Sequence, residues 1–431
     1  MTRRALIILL GGALLFTMFP AVAADPTPFA GVRGVLEELS AQLPAGLAAN
    51  EASWRVWSKQ HGADIRARLD QGDLDSMVNL LLFGASFTTQ PRIAIETLGE
   101  QTRAGVLRAR LDDLLRGVRS PGSNERLIVV RRVLEAQKVD PASPAAGTFI
   151  LQNVQRVLNE KTTFAARIEQ AKGATRVFRD RGVSLDTTIL PNLAIETALI
   201  EMKARGLIRQ GQVTRAAVIG PGLDFTDKEA GYDFYPRQTL QPFALYDSLK
   251  RLGLAAARPA ITVFDISPRV IEHVRRARGQ SYTVQLPRDA GAAWTPAAVT
   301  YWRAFGDRIG AAIAPIAPPE LVKGIETRAV RMRPEVVQAL EPADLNIVVE
   351  SRKNANFDVM IATNILIYYD LFDQALALSN IASMLKPGGF LLTNDELPVV
   401  RAIPMRLVDR SNVTYTEQPR YVDTVYWYQR Q

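Results

Sequence analysis

This sequence predicts an open α/β sheet that ends in an antiparallel hairpin and is preceded by an all-α region, on three observations. Short apolar runs in the second half alternate with segments of helical apolar spacing. One of those runs breaks into Gly-Pro-Gly, and the next ends in an acid. Before Asp186, by contrast, apolar residues recur almost entirely at helical spacing.

The first strand is expected at Ala216 to Ile219, followed by Gly220-Pro221-Gly222. Gly220 and Gly222 let the backbone turn and approach a ligand where a Cβ would intrude. A second apolar run, Ile261 to Ile266, carries Asp265 at its carboxyl end and leads into an amphipathic helix, Ser267 to Ala277. In α/β sheets an acid at the end of the second strand is where ribose hydroxyls are held. A dinucleotide fingerprint wants a third glycine where Phe225 stands, which disfavours NAD or FAD.

The third strand is assigned to Leu345 to Glu350 by its alternation and β-branching. Glu350 then either accepts from an adenine amine or is an exposed strand-end acid. The polar loop after it leads to a buried strand over Asp358 to Thr363, which places Asn364 at a strand's carboxyl edge. The following stretch has helical spacing until Leu385-Lys386-Pro387-Gly388-Gly389, where Pro387 stops the helix and the glycines turn into the strand from Phe390. Two β-rich runs, Arg406 to Gln418 and Arg420 to Arg430, close the chain as a hairpin.

Taken in order, VIGPGLDF (Val218 to Phe225), FDVMIATNILIYYD (Phe357 to Asp370) and MLKPGGFLLTNDE (Met384 to Glu396) resemble the motifs of class I S-adenosylmethionine-dependent methyltransferases. The second is especially similar to the chemotaxis-receptor carboxyl methyltransferases. The resemblance runs from about Leu190 to the carboxyl terminus and implies a Rossmann-like sheet with S-adenosylmethionine as cofactor. It implies that Gly220 and Gly222 pass under the methionine moiety, that Asp265 takes both ribose hydroxyls, and that Asn364 lies near the transferable methyl group as the catalytic position. Glu350 completes the implied cofactor set. Asn364-Ile365-Leu366 lacks the Asn-Pro-Pro-Tyr pattern of amide and adenine N-methyltransferases, so those acceptors are disfavoured. A carboxylate acceptor needs no proton removed at neutral pH; a hydroxyl needs a base, for which Tyr368, Tyr369 and Asp370 are the candidates, although packing of the next helix explains them as well.

Two insertions interrupt the pattern, at about 226–245 and 285–325. Tyr232, Phe234, Tyr235 and Arg237 in the first either form a lid, recognise the acceptor, or simply pack down. The second is expected to contain a helix covering one face of the sheet.

At the amino terminus, Thr2-Arg3-Arg4 is a basic n-region, an apolar run follows, and Ala21-Val22-Ala23-Ala24 offers small-residue cleavage. Residues 1–24 therefore read as a signal peptide, and the protein as periplasmic or secreted, with no membrane span after cleavage; an uncleaved anchor is the alternative. Residues 25–186 form the expected helical domain, and 187–431 the α/β domain. Substrate recognition or protein-partner binding is the role its position suggests for the helical domain.

The chain has 431 residues and 47% hydrophobic content, enough for more than one core. With no cysteine and only His61 and His273, neither in a ligand set, no disulfide or metal site is expected. The net charge of +8 is interspersed with acids and forms no basic stripe with aromatics, so nucleic acid is not an indicated partner. Two functions compete: an exported methyltransferase-like protein of unknown acceptor, and a non-catalytic exported binding or scaffold protein that keeps the fold. An enzyme for another nucleoside-bearing ligand is a third.

Overall fold

The computed structural model describes residues 24–94, 101–170, 189–226, 232–417 and 422–431. The expected signal peptide up to residue 23, the expected domain linkage at Arg179 to Asp186 and residues 227–231 of the first insertion lie outside them.

The described elements run in chain order. First come β1 (Asp25–Pro26), α1 (Phe29–Glu38), α2 (Glu51–Phe83), α3 (Gln101–Arg119), α4 (Glu125–Ala136) and α5 (Pro144–Gln170). Next are α6 (Leu190–Ala204), β2 (Val213–Ile219), α7 (Gln241–Arg251), β3 (Ala255–Asp265) and α8 (Pro268–Ala277). The second insertion and the residues flanking it supply β4 (Thr283–Asp289), α9 (Pro296–Ala304), β5 (Gly310–Ile313), β6 (Ile325–Met332) and α10 (Pro334–Gln338). The chain ends with β7 (Leu340–Asp344), β8 (Glu350–Ser351), β9 (Phe357–Ala362), α11 (Leu371–Met384), β10 (Leu385–Thr393), β11 (Met405–Thr414) and β12 (Val422–Arg430). Local chemistry sets the helix starts. Asn50, Asn124 and Asp370 accept hydrogen bonds from first-turn amides of α2, α4 and α11, and Pro191, Pro242 and Pro268 occupy the first turn of α6, α7 and α8.

Seven strands form the main sheet in the order β11-β12-β10-β9-β2-β3-β7. Strands β10, β9, β2, β3 and β7 are parallel, whereas β12 runs antiparallel to β10 and pairs with β11 as the terminal hairpin. The order reverses between β2 and β9, so a topological switch point lies there. This is the Rossmann-like methyltransferase sheet with its antiparallel hairpin, preceded by helices.

Alternation along the parallel strands separates two cores. Val218, Val263, Val359 and Ile361 face α6, α7 and the second insertion; Ala217, Ile219, Phe264, Met360 and Ala362 face α1, α2 and α11. A third core joins the last turns of α2 to α3, α4 and α5. The first half of the chain thus contributes to two cores: Val32, Val35, Leu36, Trp54 and Ile65 pack with the sheet, while Met77, Leu80 and Leu81 pack within the helical bundle. Among the described residues no helix is long and apolar enough to cross a membrane.

Two expected elements differ. The third parallel strand is β7, Leu340–Asp344, not Leu345 to Glu350. Pro342 within it has no N–H to donate, which argues against a central strand but is tolerated at the sheet's edge, where β7 lies. Leu345 to Val349 instead turn around Asn346, whose Oδ1 accepts from Val348 N at 3.2 Å and whose carbonyl accepts from Val349 N and Glu350 N. The second insertion has its helix, α9, but also β5 and most of β4, which pair with β6, just after it, in the antiparallel sheet β4-β6-β5.

The amino ends of three central strands are tied by Asp358, which accepts from Thr214 N at 2.7 Å and Arg215 N at 2.9 Å and pairs with Lys386. Gly388, at a φ of 77°, and Gly389 let the chain turn beneath this cluster. A Cβ on Gly389 would stand 2.9 Å from the Phe357 carbonyl oxygen and 3.0 Å from that of Lys386, both backbone atoms that cannot swing away. Gly389→Ala is expected to destabilise the protein by about 1–3 kcal/mol. Denaturant unfolding measures it, and an unchanged midpoint contradicts the close approach.

Candidate functional site

The carboxyl ends of β2, β3 and β9 bring together four of the five residues expected at the site. Gly220 and Gly222 follow β2 with φ of 64° and 68°, the left-handed conformation that glycine adopts without strain. The Gly220 amide donates to the Phe264 carbonyl at 2.7 Å, which holds the loop against the end of β3. The next residues enter the helical bundle, where Phe225 is buried in the third core. This explains why an aromatic stands where a dinucleotide fold keeps a glycine.

Asp265 ends β3 with only 4% of its surface exposed. Its Oδ1 accepts from the Ser267 amide at 2.7 Å, while Oδ2 is buried and, among the described residues, has no hydrogen-bond partner. Burial pushes its carboxyl up to about 7; the Ser267 and Gly222 amides oppose the shift, and nearby Asp344 adds to it. A buried carboxylate oxygen left without a donor is costly, and such an atom at the mouth of a parallel sheet is an acceptor in search of a hydroxyl or amine.

Asn364 lies two residues beyond β9, exposed, with a φ of 57°. Its amide donates to Asn394 Oδ1 at 2.8 Å, and Asn394 Nδ2 donates back to Asn364 Oδ1 at 2.5 Å, so the ends of β9 and β10 are pinned to each other. The next residue, Ile365, covers Gly220: a Cβ there would meet Ile365 Cγ1 at 2.6 Å. Gln374 Nε2 donates to the Leu366 carbonyl at 3.0 Å and fixes the rest of this turn.

Glu350 is not with them. It begins β8, pairs with Arg66 of α2 at 3.3 Å and accepts from the Asn346 amide at 2.6 Å; Asp344 occupies the end of the third strand instead. The candidate bases are also placed. Asp370 caps α11 by accepting from Asp373 N at 2.9 Å, and Tyr369 is buried in the second core, where desolvation raises its hydroxyl's pKa. Tyr232 and Tyr235 pack down against Ala85 and Val322, and Arg237 faces Glu125.

Two features escape sequence reasoning. Asp395, after β10, receives the backbone amides of Leu366 and Ile367, yet its Oδ2 has no partner among the described residues, and burial raises its carboxyl to about 6. Its one signal is an acid directly after a strand. The other is α2, which crosses this whole edge of the sheet. Arg66 donates to the Ile266 carbonyl at 3.1 Å and pairs with Asp344 at 2.8 Å, Arg68 donates to the Tyr368 carbonyl at 2.9 Å, and Leu69 packs on Leu223 and Val270.

No family model and no curated protein matches the chain. Among solved structures it is similar to the N-methyltransferase NodS from Bradyrhizobium japonicum in complex with S-adenosyl-L-homocysteine, at 13% identity over 55% of this chain and 85% of that one, with a TM-score of 0.28. It is likewise similar to a TehB-like SAM-dependent methyltransferase from Corynebacterium glutamicum, at 11% identity over 55% and 87% of the two chains (TM-score 0.26). A SAM-dependent methyltransferase from Leishmania major is 10% identical over 56% and 73%, with a TM-score of 0.29. Strand order and direction, rather than these likenesses, fix the fold of the carboxy-terminal part.

The Asp265 carboxyl sits at about 7 in the fold against roughly 3.9 in an unfolded chain. The folded state therefore holds the proton more tightly, and this group's contribution to stability, full below the unfolded pKa, is lost as pH rises through about 7. Asp265→Asn, which resembles the protonated form, is expected to match the wild type near pH ~4 and to exceed it at pH ~8 by at most roughly 4 kcal/mol. Urea unfolding at both pH values checks this; a variant no more stable than wild type at the higher pH contradicts it.

Proposed function

We propose that this chain is an exported S-adenosylmethionine-dependent methyltransferase that works at the carboxyl edge of its sheet. The observation that carries the reading is the buried Oδ2 of Asp265, which has no hydrogen-bond partner among the described residues, beside two left-handed glycines. These residues fit the cofactor. Asp265 would take its ribose hydroxyls, and the backbone at Gly220 and Gly222 would pass along its methionine part. Bound there, the cofactor supplies a methyl group activated by the sulfonium.

The chain's own part is alignment and exclusion of water, which is the main lever for an in-line displacement. Asn364 is exposed beside Asn394, so an acceptor is met from solvent on the β9–β10 side. Of the three side chains weighed as bases, Asp370 is committed to a helix cap, Tyr369 is buried with its proton held more firmly than usual, and Tyr368 packs half-buried against the second core. An acceptor that needs no proton removed, a carboxylate, suits such a site. Export rests on the layout of residues 1–24, and Asp25 is already part of the fold, in β1.

One observation favours the non-catalytic reading. Ile365 rests on Gly220, in the space a bound ligand would need. Calorimetry of the purified protein with S-adenosylhomocysteine separates the two readings. The methyltransferase reading expects binding in the wild type and a loss of about a hundredfold or more in Asp265→Ala, since hydrogen bonds to a charged group contribute about 1.5–3 kcal/mol each. No binding to the wild type, or equal binding to the variant, leaves the scaffold. For export, intact-mass measurement is expected to find a chain beginning at Ala24 or Asp25; a mass that retains Met1 points to an anchor.

A further inference from the structure

Helix α2 is held at its two ends by different means from its middle. Towards its start, Trp54 and Ile65 are buried in the second core, and Trp54 Nε1 donates to the Thr27 carbonyl at 2.8 Å. Towards its end, Met77, Leu80 and Leu81 are buried in the third core. Between Ile65 and Ser76 only Gly72 is buried. That middle stretch is the part lying over the ends of β2, β3 and β7, and its grip is polar except for Leu69 and for Leu74, which packs on the third core.

Over the sheet edge the polar grip has three points, while Gln71 and Asp75 bond Glu160 and Arg156 of α5. Arg66 reaches the Ile266 carbonyl, Asp344 and Glu350; Arg68 reaches the Tyr368 carbonyl; Asp73 pairs with Arg269 at the start of α8. Each lands on a segment that borders the cleft: the residue after Asp265, the end of the third strand, the turn after β9, and the helix after β3. These are half-exposed contacts. Arg66 is 31% exposed and Asp344 53%, so each pair contributes little and is screened by salt. Segments with few buried apolar contacts open at a fraction of the cost of global unfolding.

We infer that the middle of α2, Arg66 to Asp73, is a polar-clasped cover over the cleft, and that a ligand of Asp265 enters and leaves only when the Arg66 clasp releases. The inference rests on the reading of the cleft as a cofactor site, but the cover itself is a property of the chain without ligand. While the clasp is closed, Asp265 is shut from water beneath it. When it opens, Asp265 and the turn carrying Ile365 become accessible together.

Hydrogen–deuterium exchange of the full chain, without ligand, tests the cover directly. Arg66→Ala is expected to speed exchange about tenfold or more in peptides spanning residues 66–73, 220–225 and 265–268, with β10 and β12 unchanged, as local opening requires. Raising the salt of the wild type from about 0.05 M to 0.5 M should speed the same peptides, and this arm decides the matter if the variant does not fold. No acceleration, or equal acceleration throughout the chain, overturns the cover. A parallel measurement of S-adenosylhomocysteine release keeps the two readings apart. Faster release from Arg66→Ala supports gating, and unchanged release overturns it; absence of binding to the wild type sinks the cofactor reading while the exchange result still decides whether the cover exists.

Discussion

One carboxyl group, Asp265, sets the terms for everything around it. It is fixed at the end of a parallel strand, one oxygen bonded to the Ser267 amide and the other buried without a donor among the described residues. Removing a charged group from water without a partner is expensive, and the chain meets that cost by holding the proton, with the carboxyl raised to about 7. A group poised this way changes character with what sits beside it. A hydroxyl donated to Oδ2 would favour the charged form that burial now disfavours.

Around that group, the fold gathers segments from distant parts of the sequence. The parallel strands end together because β2, β9 and β10 are tied at their other ends by Asp358, so their carboxyl ends present a level edge. Two turns rise from it, one led by left-handed Gly220 and Gly222, the other by left-handed Asn364. Arg126 of α4 donates to the Phe225 carbonyl at 2.5 Å and also bonds the Tyr235 carbonyl, which fastens the glycine turn and the first insertion to the helical bundle. The helices before the sheet are therefore part of the site's frame. The second insertion serves the opposite face: its Tyr301, Trp302 and Phe305 fill the first core beside α6 and α7.

What could be read from sequence was what local pattern encodes. Apolar runs ending in Gly220, Asp265 and Asn364 announce three strands and the edge they share, and the aromatic alternation after Arg406 announces the hairpin. The third strand escaped because Pro342 breaks the β pattern at an edge that tolerates it, while Asn346 to Val349 carry β-branched residues in a turn held by the Asn346 side chain. For the same reason Glu350 does not stand at the third strand's end, a place that belongs to Asp344. The first half of α2 lacks a continuous apolar stripe, so local pattern does not announce where that helix begins. Its seat on the sheet depends on Arg66 and Arg68 meeting residues 200 to 300 positions away, which no local periodicity records. Asp395 is silent for a similar reason: its environment is made by the turn at Leu366 and Ile367.

The most direct test of the account is the titration of the Asp265 side-chain carboxyl carbon by nuclear magnetic resonance, assigned by its disappearance in Asp265→Asn. A midpoint of about 7 is expected in the free protein, with a clear fall when saturating S-adenosylhomocysteine donates to Oδ2. A midpoint near the ordinary value of about 4 in the free protein, or one that ligand leaves unmoved, would contradict it.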